Sequence, residues 1–124
     1  MVTLTPNEIE YYRTVFADDA IATRALTMID DCEGDLEDAA IALALRSGQE
    51  PGESEGWLER YAKRFRVTLC QSDLRQTIEA GNLPEAVRSL ALSTDVPAPL
   101  ATPVLLYVLK TGLEEFCKPL NEKI

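Results

Sequence analysis

The sequence contains no histidine among its 124 residues. The commonest general base, metal ligand and pH switch is therefore absent. Positive charge is scarce too, with 12 Lys and Arg against 21 Asp and Glu and a net charge of −9. Nucleic acids and anionic lipids repel such a chain, so we expect neither as a partner. Because the sequence also lacks a phosphate-binding glycine loop and a metalloprotease motif, we predict no enzymatic activity, metal or cofactor.

Cysteine is also scarce, and the three residues of this type are Cys32, Cys70 and Cys117. Their number is odd, their spacing is wide and no C-x-x-C occurs, so we predict buried, reduced thiols in a cytoplasmic protein. The first ten residues include two acids and no base, which is unlike an export signal. The longest uncharged stretch, Val96–Leu109, contains three prolines and is too short to span a bilayer.

Capping residues and glycines predict a succession of helices. Thr5-Pro6-Asn7-Glu8 has the form of a capping box with proline at the first helical position. Gly34 predicts the end of a second helix, and Asp35 predicts the cap of a third, which ends at Gly48. No run of alternating polar and apolar residues competes with this pattern.

The second half of the chain continues the helical pattern after a loop at residues 49–53. Ser54 predicts the cap of a helix that carries Trp57, Tyr61 and Phe65 on one face, and we expect that face in the core. Val67–Cys70 is β-prone, and we predict an extended connector there.

The end of the chain predicts a loop at 94–102 and then a last helix. That helix begins at Thr102-Pro103 and either kinks or stops at Gly112. We therefore predict an all-α fold in which residues 1–124 form a single compact domain of about seven short helices. We also consider a subdivision into an acidic three-helix unit at 1–48 and a second unit at 54–124.

Charge is distributed unevenly along the chain. Residues 1–55 contain thirteen acids and three bases (net −10), whereas residues 56–124 contain eight and nine (net +1). Many of the acids lie between residues 30 and 38. There Asp31 and Glu33 oppose the dipole of the helix that they follow, so a compensating charge is expected. An EF-hand loop centred on Gly34 is excluded, because an isoleucine and an alanine would occupy its first and last ligand positions.

The basic cluster Arg60, Lys63, Arg64 and Arg66 lies opposite the aromatic face of its predicted helix. We hypothesise that this basic face meets Asp31, Glu33 and their acidic neighbours, within one chain or across a dimer. A solvated surface is the alternative.

Two stretches resemble known proteins. Residues 25–39, with Cys32-Glu33-Gly34-Asp35-Leu36-Glu37, resemble the second and third helices of ubiquitin-associated (UBA-like) domains. That resemblance implies a compact three-helix start. It does not imply ubiquitin binding, because Asp18-Asp19-Ala20 replaces the family's Met-Gly-Phe loop. The tail from Leu100 to Cys117 is similar to small acidic cyanobacterial proteins of unassigned function, and this similarity implies no activity.

The leading function is that of an acidic interaction or regulatory module that binds a protein partner through helix packing. We expect Leu106 and Tyr107 to form part of the partner surface, because they fall off the apolar face of the last helix. The alternative for that helix is a place in the core. For the protein, the alternatives are a small-molecule-binding protein or enzyme with an interhelical pocket, and a structural homodimer.

Overall fold

Helices form nearly all the regular structure of residues 2–51 and 56–121, the part of the chain that the computed structural model describes. These residues form nine helices and one isolated antiparallel bridge between Thr3 and Asp35. The prediction of an all-α single domain is confirmed, although about seven helices were expected. The helices are α1 (Pro6–Val15), α2 (Ala20–Asp31), α3 (Leu36–Arg46), α4 (Trp57–Lys63), α5 (Arg66–Cys70), α6 (Ser72–Glu79), α7 (Leu83–Ser93), α8 (Ala98–Thr111) and α9 (Leu113–Asn121).

The predicted capping box at α1 is confirmed. The backbone N–H of Glu8 donates to the Thr5 hydroxyl at 3.1 Å, and the Thr5 N–H donates to the Glu8 carboxylate at 2.8 Å. Lys110 of α8 donates to both carboxylate oxygens of Glu8, at 2.8 and 3.0 Å. The hydrogen bond from Lys110, followed by that from the Thr5 backbone, lowers the pKa of Glu8 below its ordinary value. The start of α1 is thus tied to the end of α8.

The turn between α2 and α3 is built differently from the expectation. Asp35 caps α3 as predicted. The N–H of Glu33 donates to the carbonyl of Asp30, and the N–H of Gly34 donates to that of Ile29, which is a Schellman ending. In that motif Glu33, with φ of 58°, takes the left-handed position that was expected for Gly34. Gly34 follows with φ of 86°.

Helix α8 is the centre of the domain. Every residue of Leu100–Val108 is buried, and the helix packs against α2, α3, α4, α7 and α9. Since it is apolar around its whole circumference, an interior position is its stable one. The helix begins at Ala98, so the predicted loop extends too far. Pro99 fits the first turn without loss of a hydrogen bond, and Pro103 lies inside the helix.

The predicted extended connector at Val67–Cys70 is wrong, because these residues lie in the short helix α5. Its Leu69 is fully buried, and α5 packs against α6, α7 and α9. Tertiary packing therefore overrides the local β preference. Of the two outcomes expected at Gly112, the stop is correct, since this residue separates α8 from α9 with φ of 107°.

A disulfide joins Cys70 of α5 to Cys117 of α9, with the two Cα atoms 5.7 Å apart. The prediction of three reduced thiols is therefore wrong for this pair, since contact between two short helices far apart in sequence cannot be read from cysteine spacing. Cys32 remains a free thiol. Burial, followed by the charges of neighbouring carboxylates, raises the pKa of Cys32, which makes it a poor nucleophile.

Two further observations complete the fold. The predicted cap at Ser54 and the last two residues of the predicted loop before it, 52 and 53, lie outside the described residues. Within the described ranges, no helix combines the length and apolar character needed to cross a membrane.

Candidate functional site

A cleft of about 520 Å³ opens where the first turns of α3 and α4 meet the side of α8. We call it the acidic cleft. Its acidic lining consists of Asp35, Glu37, Asp38 and Glu59. The rest of its lining is formed by Val2, Gly56, Leu58 and Tyr107.

Helix starts place the carboxylates on the rim of the acidic cleft. The Asp35 side chain accepts the backbone N–H of Asp38 at 3.0 Å and so begins α3. The Glu37 carboxylate accepts the backbone N–H of Leu58 at 3.3 Å, which holds the first turn of α4 beside that of α3. The positive ends of two helix dipoles therefore favour the negative charge gathered here.

The four carboxylates differ in whether they already accept a hydrogen bond or form an ion pair within the protein. Asp35 and Glu37 hold backbone groups, and Glu59 pairs with Lys63 at 3.2 Å within α4. Asp38 is exposed and forms no ion pair among the described residues. Asp38, with Glu59 beside it, is thus the acidic group best placed to meet a cation from outside.

Tyr107 and Leu106 behave differently although they are neighbours. Tyr107 is 9% exposed and lines the acidic cleft. Burial is the main cause that raises the pKa of Tyr107, with a smaller lowering effect from its hydrogen bond to Thr111. Leu106 is only 1% exposed. The expectation that Leu106 forms a partner surface is therefore wrong, because neighbouring helices cover α8 at that position.

Two members of the basic face predicted on α4, Lys63 and Arg64, pair with acids other than Asp31 and Glu33. Lys63 pairs with Glu59 in its own helix, while Arg64 pairs with Asp95 at 3.5 Å. Arg64 also lies over the rings of Tyr61 and Phe65, at 5.4 and 5.6 Å from their centroids.

The remaining members of the predicted basic and aromatic set are also placed by the structure. Arg60 is exposed beside Gly56. Tyr61 and Phe65 are buried, and Trp57 stacks on Tyr61 with 4.7 Å between ring centroids. The aromatic face is thus mostly core, as expected. Pairing of the basic face across a dimer stays a prediction.

A second groove, of about 400 Å³, lies between α2 and α3 and reaches the start of α8. Arg24, Asp31 and Arg46 are its charged residues, and Ile21, Ala25, Met28, Leu43 and Pro99 form its apolar surface. We call it the α2–α3 groove. It contains Asp31 from the predicted site, whereas Glu33 lies exposed in the turn after α2. Arg24 and Arg46 are not predicted as site residues from the sequence, because neither belongs to a motif or a charge cluster.

Chemically, both sites offer charge and apolar surface for binding. Among the residues described, no group of three or more His, Cys, Asp or Glu side chains is arranged to hold a metal ion. The fold and the two sites together define an all-α domain with an acidic cleft and a separate groove that carries two arginines. No protein-family model, curated protein or solved structure matches the chain. The two resemblances noted from the sequence therefore stay predictions.

Proposed function

We propose that this protein is a non-enzymatic interaction module whose acidic cleft binds a basic segment of a protein partner. The observation that carries the proposal is the composition of the cleft. Four carboxylates stand around an open depression that also offers the apolar side chains of Val2 and Leu58 and the ring of Tyr107.

Lysine and arginine side chains fit such a depression in two ways. Their charged ends are attracted by the carboxylates, and their methylene stems pack on apolar surface. Asp38 and Glu59 are exposed, which leaves both accessible to an incoming cation. At longer range, the net charge of −10 on residues 1–55 attracts a basic partner.

The test compares two variants of equal net charge. The cleft variant combines Asp38→Asn with Glu59→Gln and so neutralises two exposed acids of the acidic cleft. The control variant combines Asp73→Asn with Glu79→Gln and neutralises two exposed acids of α6. Helix α6 packs mainly against α5 and α7. The probe is a short fluorescein-labelled peptide of alternating lysine and alanine, titrated at low salt and followed by fluorescence anisotropy. We expect the cleft variant to bind about fivefold more weakly than wild type, because each exposed ion pair contributes about 0.2–1 kcal/mol.

The control variant is expected to bind within about twofold of wild type, since long-range charge alone has a small effect. Equal weakening by the two variants would show that the peptide reads only the net charge and would refute the proposal. The location of binding is checked by NMR, where the amide signals of Gly56 and Leu58 should shift on titration.

A small-molecule site remains the alternative, because the volume of the cleft falls in the range of about 300–1,000 Å³ that is usual for ligand pockets. Its carboxylates predict a cationic ligand. Thermal-shift measurements with spermidine and with the lysine–alanine peptide separate the two functions. Stabilisation by spermidine alone would favour a small-molecule binder, and stabilisation by the peptide alone would favour the interaction module.

The proposed binding uses no cofactor. The disulfide between Cys70 and Cys117 removes one of the two reasons for expecting a cytoplasmic location, since reduced thiols are typical of that compartment. Counting the reactive thiols of protein isolated under thiol-blocking conditions decides the matter. One reactive thiol indicates an oxidising compartment, and three indicate a reducing one.

A further inference from the structure

Helix α2 presents a stripe of four side chains to the α2–α3 groove. Ile21, Arg24, Met28 and Asp31 follow one another at spacings of three, four and three residues, and all four line the groove. This is the spacing by which two helices pack side by side. Ile21 is 45% exposed, Arg24 and Asp31 are exposed, and Met28 is partly buried. The stripe is thus a largely accessible row of side chains at helix-packing spacing.

The charges of the groove are separated into two ends. Arg46, at the end of α3, lines the groove together with Arg24 of α2. Asp31 lies at the opposite end, about 10.5 Å along the axis of α2 from Arg24. Within the described residues, neither arginine forms an ion pair and neither does Asp31.

Arg24 and Arg46 are basic residues in a strongly acidic half of the sequence. Arg24 and Arg46 are two of only three basic residues in the first 55, and the third, Arg13, pairs with Asp30 at 3.5 Å. That pair compensates one of the acids at the end of α2. The carboxylate of Asp31 lies at the unfavourable end of the helix dipole and pairs with no cation in the part of the chain that the structure describes.

We propose that the α2–α3 groove binds a second copy of this chain, with the two α2 helices antiparallel about a twofold axis between Thr27 and Met28. In this arrangement Asp31 of each copy faces Arg24 of the other. A twofold interface must be complementary to itself, so that each contact occurs twice. Arg24 and Asp31 satisfy this condition because they lie at equal distances along α2 on either side of the axis.

The dimer is independent of the proposed function. The acidic cleft and the α2–α3 groove share no lining residue, so peptide binding and dimerisation can fail separately. The apolar contact at the axis comes from the partly buried Met28 of both copies. The two sets of charges then fix the antiparallel orientation, as polar groups at helix-packing positions do in coiled coils.

The test is sedimentation equilibrium at about 0.15 M ionic strength, where a Debye length of ~8 Å screens the repulsion between the two acidic chains. Wild type is expected to dimerise reversibly. Arg24→Glu and Asp31→Arg, each alone, should raise the dissociation constant by at least about tenfold, because like charges then face each other. Arg88→Glu on α7 and Glu10→Arg on α1 make the same changes of net charge at exposed positions outside the groove and should leave it unchanged.

Mixing the two single variants gives the sharper result. In the mixed dimer, the introduced glutamate of one copy faces the introduced arginine of the other, and the native Arg24 and Asp31 also face each other. We therefore expect the mixture, and the double variant alone, to regain dimerisation. A monomeric wild type throughout the concentration series would overturn the proposal. So would control variants that weaken the dimer as much as the groove variants, or a mixture that stays monomeric.

Discussion

Replacement of Gly34 by alanine is the most informative single perturbation of the fold. Gly34 has φ of 86°, and its carbonyl accepts the backbone N–H of Leu4 at 2.9 Å. In the same bridge, Leu36 donates to the carbonyl of Val2 at 3.1 Å. A Cβ on Gly34 would overlap the carbonyl oxygen of Leu4, which belongs to the backbone and cannot rotate away. The substitution must therefore strain the turn and also displace the N-terminal segment.

Two contributions determine how much Gly34→Ala lowers the free energy of unfolding. An alanine in the left-handed region costs about 1–2 kcal/mol. Loss of the two bridging hydrogen bonds adds about 0.5–1.5 kcal/mol each. We expect Gly34→Ala to lower the free energy of unfolding by about 3 kcal/mol, which corresponds to a fall in Tm of about 12 °C for a domain of this size.

Gly48→Ala is the matched control. Gly48 has φ of 79°, and no heavy atom lies within 4 Å of the place where its Cβ would be. This variant therefore carries the conformational cost alone, about 1–2 kcal/mol. Urea unfolding followed by circular dichroism, with the disulfide intact, measures both variants. Equal losses would refute the reasoning, because they would show that the contact with Leu4 contributes nothing.

Two further predictions concern groups in the interior. Among the described residues, the fully buried hydroxyl of Thr102 has no hydrogen-bond partner, so Thr102→Val should raise the free energy of unfolding by about 1 kcal/mol. Thr94→Val loses both the bond that the Thr94 hydroxyl donates to the Leu90 carbonyl and the bond that it accepts from the Val96 N–H, so it should lower the free energy of unfolding by about 1–3 kcal/mol. The sign of the two changes in urea unfolding is the check. Cleavage of the disulfide, which joins residues 47 apart, should lower the free energy of unfolding by about 4 kcal/mol. Unfolding with and without dithiothreitol measures this loss, and an unchanged midpoint would contradict it.

Local signals in the sequence predict the beginnings of several helices correctly. Thr5 and Asp35 cap their helices because a side-chain oxygen satisfies a backbone N–H only three residues away. Such an interaction needs no information from the rest of the chain. The all-α class follows from these caps together with the helical spacing of apolar residues, which is equally local.

Interactions between distant parts of the chain account for the errors. The segment at 67–70 is helical because Leu69 is buried, and the neighbouring Cys70 is bonded to Cys117 from the end of the chain. The acidic cleft depends on Glu37 reaching the N–H of Leu58 from another helix. Neither partner can be identified from spacing. The acids of α3 were visible in the sequence, but only the position of α4 turns them into one wall of a cleft.

The place of α8 explains why apolar content misdirects the search for a partner surface. Its run of apolar residues suggested an exposed contact, yet Leu106 is buried because the most apolar helix gains most by lying in the centre. Because α8 is enclosed, both proposed partner surfaces consist of charged residues beside small apolar areas. The acidic cleft and the stripe of α2 both have this character. Partner surfaces in a small acidic helical domain are thus better sought where charged residues lack a partner than where apolar residues are most concentrated.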